Sequence, residues 1–225
     1  MGHGKGRIAR PLAPAAGVHH IGRMKQLTLA AAAFISLFAG AAQAAAPPRL
    51  EQAVLAGGCF WGMEGVFEHV KGVRNVVSGY AGGAARDANY SAVSAERTGH
   101  AEAVRITYDP AQISYGQLLK IYATVAHDPT EVNRQGPDSG TSYRSAIFPQ
   151  NPGQKQAATS FLAQLRASHL YSRPIATRIE GGGFYPAEAS HQGFMRLHPY
   201  YPYILINDRP KLASLKRAFP LLWKA

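Results

Sequence analysis

Cys59 is the single cysteine of the 225 residues, and it stands in the run Gly57-Gly58-Cys59-Phe60-Trp61. A lone thiol can be an inert buried group, half of an intermolecular pair, or a nucleophile. Its surroundings favour the last. Residues 51–56 (EQAVLA) predict a short strand, the glycine pair breaks it, and Phe60, Met63, Val66, Phe67 and Val70 recur at helical spacing over residues 59–70. Cys59 therefore belongs at a strand-to-helix turn, where free N–H groups and the helix dipole favour a thiolate. The two glycines would let a ligand approach the backbone closely. Phe60 and Trp61 act in the opposite sense, because apolar surroundings raise a thiol pKa. The sequence leaves these two effects opposed.

Glu102 is the second residue with chemical content. In AEAVRITY, residues 101–108, strand alternation places it on one face with Val104, Ile106 and Tyr108. A carboxyl on a core face loses its hydration, so its pKa rises and it can donate a proton near neutral pH. At a frayed strand end it would instead reach water. Tyr90, Asp138 and Tyr143 stand in polar loops. Tyrosine hydroxyls can donate to an oxyanion without changing charge, although each taken singly also reads as ordinary loop packing. The nine histidines show no repeated ligand spacing, so no metal site is expected. A Cys–His hydrolase using His100 or His191 as base has no local motif behind it.

The elements that must position these groups follow from the same periodicities. The first helix should close at Gly72, with strands at 73–80 and 101–108 and a helix at 114–126 capped by Ser114. A strand at 143–148, a helix at 152–169 and a further strand at 173–180 complete the pattern. From residue 184 the chain is aromatic, Pro-rich and without period. The order strand-helix-strand-strand-helix-strand is the split βαβ (ferredoxin-like) arrangement. The expected class is α+β: one domain with helices on one face of the sheet and a long irregular C-terminal tail.

An apolar content of 46% with 16% charged residues excludes a long disordered chain. The N-terminus differs from the rest. Arg23 and Lys25 precede an almost wholly apolar run, residues 27–42, and Ala42-Gln43-Ala44 gives a small-x-small cleavage pattern. Residues 1–23 read as a leader that need not be translated, 24–44 as a signal peptide and 45–225 as the catalytic domain. Export to the periplasm or beyond the cell is expected, with no stable membrane association after cleavage. Five of the 24 Lys and Arg precede residue 45, and the remaining 19 against 13 Asp and Glu leave +6. Those positives are scattered and read as solvated surface, with no nucleic-acid partner implied.

The segments GGCFWGMEGVFEHVKGV, SGYAGG, TGHAEAVRITYDP, HDPT…RQGPDSGTSYRSAIF and FYPAEASHQ resemble, in order over nearly all of residues 51–210, the peptide methionine sulfoxide reductases of type A. The resemblance implies a split βαβ fold and reduction of the S epimer of methionine sulfoxide in oxidised proteins or peptides. It makes Cys59 the nucleophile and Glu102 the acid that protonates the sulfoxide oxygen. Phe60 and Trp61 would form the apolar pocket for the S-methyl group. Tyr90 and Tyr143 would hydrogen-bond the oxygen, and Asp138 would order the site through water. Many members carry recycling cysteines in the loop after the first tyrosine or near the C-terminus. Here the loop position is Ser94, the tail has no cysteine, and Phe194 stands where members often show tyrosine.

With one cysteine no internal disulfide can form, so a sulfenic acid on Cys59 must be reduced by an external thiol, thioredoxin-like or glutathione-like. No metal or organic cofactor is expected. Two readings of other classes remain: a thiol peroxidase using Cys59 on hydroperoxides, which needs no methyl-sized aromatic pocket, and a non-catalytic exported module whose basic surface recruits an acidic partner.

Overall fold

The structure, a computed structural model, describes residues 49–225. The expected leader (1–23), signal peptide (24–44) and domain start at residue 45 lie outside the described residues. The chain forms strand β1 (Glu51–Ala56), helix α1 (Phe60–Glu68), strand β2 (Val73–Ala81), a short helix α2 (Tyr90–Val93), strand β3 (Ala101–Tyr108) and helix α3 (Tyr115–Ile121). A small hairpin, β4 (Arg134–Gln135) with β5 (Asp138–Ser139), precedes strand β6 (Ala146–Phe148) and helix α4 (Pro152–Ala167). The rest comprises β7 (Arg178–Ile179), β8 (Phe184–Pro186), α5 (Phe194–Leu197) and α6 (Arg209–Ala218).

Six strands form one sheet in the order β7-β6-β1-β3-β2-β8. Its four central strands are antiparallel neighbours. β3 separates the ends of the β1-α1-β2 unit, and β1 separates the ends of β3-α3-β6. Two interleaved βαβ units are the split arrangement expected from the element order. Alternation decides the faces. Leu55, Tyr80, Val104, Ile106 and Tyr108 join Met63, Val66 and Phe67 of α1 in the main core, while Val54, Ala56, Ala101 and Ala103 line a small, alanine-rich second face.

Helix α3 starts as its sequence dictates. Ser114 Oγ accepts from the Gln117 N–H (3.2 Å) and the Gln117 side chain accepts from the Ser114 N–H (2.9 Å), a complete capping box. The helix then widens through residues 122–126, which keeps the expected span to Ala126 but not its regular form. α1 is shorter than expected and stops at Glu68. Val70 instead bridges to Trp223, and Gly72 (φ +87°) makes the turn into β2. The strand expected from Tyr143 begins at Ala146, because Thr141–Tyr143 coil into a single tight turn. Of the strand expected over 173–180, only Arg178–Ile179 pairs.

The C-terminal tail is where sequence and structure differ most. Residues 184–186 add an edge strand beside β2 at Gly79, where a β-carbon would stand 2.3 Å from the Tyr185 carbonyl oxygen. The following residues pack α5 and α6 onto α1. That helix is buried nearly all round. It carries Gly62 and Gly65 one turn apart, and a β-carbon there would meet Asp208 Oδ1 at 2.0 Å and Met195 at 2.5 Å. Each interior glycine weakens a helix by about 1 kcal/mol relative to alanine. The close seat it gives the tail offsets that cost.

Candidate active site

The strand-to-helix turn is held from below. The Tyr122 hydroxyl donates to the Ala56 carbonyl (2.7 Å) and contacts Ser145 Oγ (3.0 Å), whose oxygen also meets His127 Nε2 (2.7 Å). His127 is buried, and burial lowers its pKa to about 4, so the ring is neutral. The glycine pair serves this scaffold. A β-carbon on Gly57 would lie 2.7 Å from His127 Cγ. Gly58 adopts φ +86°, with Gln135 Cβ 2.5 Å from where its own β-carbon would be. On the side where a β-carbon would stand, the groups that approach these glycines are the protein's own.

Cys59 occupies the cap position of α1 and is buried. The contest left open by the sequence resolves against the thiolate. Burial raises the thiol well above its ordinary pKa, and the carboxyls of Glu102, Asp208 and Asp138 add to the rise. The backbone N–H of Trp61 pulls the other way without winning, and the side chain makes no capping hydrogen bond. The resting group is a thiol.

Glu102 lies on the helix-covered face, as alternation predicts, and is 4% exposed. Its Oε2 accepts the backbone N–H of Phe60 at 3.0 Å, which ties the carboxyl to the residue beside Cys59. Burial raises its pKa to about 8, helped by Asp138 and Glu96 and opposed by the Phe60 N–H. A carboxyl that keeps its proton to about pH 8 is a proton donor at neutrality.

Phe60 is buried, while Trp61 is half-buried and heads an aromatic group. Phe194 stacks on the indole at 3.7 Å between centroids and 8° between planes, and Tyr201 and Tyr203 meet it edge-on. The indole N–H donates to His191 Nδ1 (3.2 Å). Phe194, where the resemblance leads one to expect tyrosine, is thus a stacking partner for Trp61. Tyr143 lies among Glu102, Asp138 and Cys59, and burial with their charges pushes its hydroxyl far above the usual range. Tyr90 is more exposed, with its ring over His191 (4.6 Å) and its N–H bonded to Glu188 (2.8 Å). The loop carrying it is fastened to the Tyr143 turn by Glu96, which accepts from the Ser142 N–H (2.8 Å) and Thr141 Oγ1 (2.9 Å).

Asp138 is engaged directly by the Tyr203 hydroxyl, where the resemblance had implied water. Tyr203 and the fully buried Asp208 went unnoticed in the sequence, because their segment shows no strand or helix period. Leu212 and Leu215 at helical spacing, with Lys216-Arg217 behind them, are the one helical signal in that segment that could have drawn attention there. The two candidate histidine bases are committed elsewhere. His100 bonds the Gly83 N–H and the Ala84 carbonyl, and His191 accepts from Trp61, so neither pairs with the thiol. Among the described residues no group of three or more His, Cys, Asp and Glu could hold a metal ion. A buried thiol, a protonated carboxyl, several tyrosine hydroxyls and an aromatic wall together suit the transfer of an oxygen from a small apolar sulfoxide.

The chain as a whole is similar to known proteins. A family profile described as peptide methionine sulfoxide reductase matches residues 51–220. The chain is 59% identical over 179 residues to peptide methionine sulfoxide reductase MsrA 2 of Mesorhizobium japonicum, covering 79% of this chain and 92% of that one. It is 52% identical over 170 residues to the protein of the same description from Synechocystis sp., covering 75% and 79%. Among solved structures, Mxr1 from Saccharomyces cerevisiae in reduced form superposes with TM-score 0.61 at 29% identity, over 68% of this chain and 87% of that one. Methionine sulfoxide reductase A of Corynebacterium diphtheriae gives 0.58 at 33% identity, over 69% and 79%.

Proposed function

The chain belongs to the peptide methionine sulfoxide reductase family, whose reaction converts methionine sulfoxide to methionine, and on that premise we propose that Cys59 is its nucleophile and Glu102 its acid. The substrate's S-methyl group rests against Phe60 and Trp61. The Cys59 sulfur attacks the sulfoxide sulfur while Glu102 gives its proton to the oxygen. The sulfur–oxygen bond then breaks as the oxygen passes to Cys59, and the proton released by the thiol restores Glu102. Cys59 is oxidised by two electrons to a sulfenic acid, and the substrate sulfur is reduced by two to the thioether. Tyr143 and Tyr90 donate to the oxygen as it gains charge, and Tyr203 holds Asp138 in place beside them.

The observation that carries this reading is Glu102: a carboxyl with a pKa of about 8, hydrogen-bonded to the backbone of the residue next to the only thiol. The S epimer is the proposed substrate, since the two epimers need separate enzymes. One cysteine in the sequence supports direct reduction of the sulfenic acid by an external thiol, either a thioredoxin-like protein or a glutathione-like small molecule. Neither half-reaction calls for a metal or organic cofactor. The apolar run and cleavage pattern before residue 45 support export, and with it repair of oxidised proteins in the periplasm or outside the cell.

A single-turnover experiment tests the chemistry. Wild-type protein mixed with a methionine sulfoxide peptide in the absence of reductant should release an equivalent of methionine peptide and leave Cys59 trapped by dimedone as its sulfenic acid adduct. Methionine formation with Cys59 recovered as an unmodified thiol would contradict the mechanism.

A further inference from the structure

Asp208 lies inside a continuous helical stretch: the π-helical turn Ile204–Asp208 runs directly into α6, and Asp208 itself is helical (φ −108°, ψ −39°). Its side chain makes no bond to the α6 backbone. The carboxylate turns inward and is 0% exposed. Oδ1 accepts from Lys211 Nζ at 3.0 Å, and Oδ2 is buried with no hydrogen-bond partner among the described residues. A buried, half-satisfied carboxylate is costly to keep.

Its location explains what it is near. The space it fills is the missing side chain of Gly62: a β-carbon there would stand 2.0 Å from Asp208 Oδ1 and 2.8 Å from Lys211 Nζ. Gly62 is the third residue of α1, and Cys59 caps that helix. Residues three apart on a helix have β-carbons roughly 5–6 Å apart, and a cap side chain leans over this same turn. The Asp208–Lys211 pair is therefore lodged against the turn that carries the thiol. The groups facing it are Lys211 on α6, Asp138 on β5, Cys59 at the head of α1, and Tyr203 just before it in sequence. Glu102 on β3 faces Cys59 from the sheet side, and Lys211 also faces His127.

We propose that Asp208, seated on Gly62 and balanced by Lys211, is a positioning residue that holds Cys59 as the thiol between turnovers. Burial disfavours the negative charge on Asp208 and Lys211 favours it; the charge that Lys211 sustains opposes formation of a second one on Cys59. The burial of Cys59 acts in the same direction, and the raised thiol pKa agrees with both. The thiolate is the form that oxidants and alkylating agents attack, so the arrangement spares an unpartnered thiol until the sulfoxide and the Glu102 proton are in place. Gly62 then has a function of its own in the Cys-Phe-Trp-Gly run: it is the only residue type that leaves room for the pair.

The inference rests on Cys59 being the reacting thiol, and it is tested without asking for turnover, so its failure and that of the reductase reading are distinguishable. Iodoacetamide alkylation of Cys59 is followed across pH for wild type, Asp208→Asn and Lys211→Met, with thermal unfolding as a check on folding. Asp208→Asn should be alkylated at least roughly threefold faster at neutral pH, a shift of about half a pH unit. Lys211→Met should also be faster than wild type, because without its ammonium the buried Asp208 takes up a proton. The double variant should be no faster than Asp208→Asn, since Lys211 then has no carboxylate to sustain, whereas a merely structural loosening would add. Profiles for Asp208→Asn and wild type that superimpose would overturn the proposal, as would a double variant faster than either single one. Should Asp208→Asn not fold, a Lys211→Met profile identical to wild type or slower would overturn it alone.

Discussion

Glu102 keeps its proton up to about pH 8, and that value sets how the reaction should respond to pH. In the proposed mechanism the acid form is the active one, so kcat/KM should fall as pH rises through about 8. Glu102→Gln should be slower by roughly 10²–10⁴-fold and should lack that limb. A wild-type profile still rising beyond about pH 9 would assign the proton to another group. Stability carries the same sign. Glu102 at about 8 and Glu64 at about 7 both lie above the ordinary glutamate value, so the native chain binds more protons than the unfolded chain between about 4.3 and these values. The stabilising contribution is complete below that window and is lost as pH rises through about 7 and then about 8. The unfolding free energy from urea titrations should therefore fall between about pH 5.5 and 8.5, by an amount on the order of a few kcal/mol, and the fall should shrink in Glu102→Gln. At this level much was legible in the sequence. Period-two alternation put Glu102 on the buried face, and the lone cysteine at a turn drew attention to Cys59. The ionisation of the thiol was not legible, because it depends first on how deeply Cys59 is buried and then on Glu102, Asp208 and Asp138, which reach the site only through the fold.

The elements were legible wherever local rules agree with tertiary packing. β1, β3 and the Ser114 start of α3 stand where periodicity and capping chemistry place them. Ser114→Ala should cost about 1 kcal/mol in unfolding free energy, since it removes the cap at an exposed position. It should leave kcat/KM unchanged, because Ser114 stands at the opposite end of α3 from Tyr122, whose hydroxyl bonds the Ala56 carbonyl. A loss of activity without a loss of stability would show that α3 does more than hold β1. The tail was illegible for a physical reason. Its strand is three residues long and exists by pairing with β2, and its two helices pack into space left by Gly62 and Gly65 on α1. Such elements are made by their partners, so neither alternation nor helical spacing announces them. The same holds for the glycine pair before Cys59, whose partners His127 and Gln135 lie in a distant loop.

Across the whole molecule, the split βαβ core and the tail converge on one end of α1. The sheet supplies Glu102, the polar loops supply Tyr90, Asp138 and Tyr143, and the tail supplies Phe194, Tyr203 and Asp208. In the proposed mechanism the chemistry depends on a single thiol with no second cysteine in the sequence to relieve it. The most direct measurement is turnover of resolved S and R epimers of a methionine sulfoxide peptide by residues 45–225 with dithiothreitol as reductant, alongside Cys59→Ser. Turnover of the S epimer alone, abolished by Cys59→Ser, is the expected result. Folded wild-type protein that reduces neither epimer, or a Cys59→Ser variant that still reduces the S epimer, would contradict it.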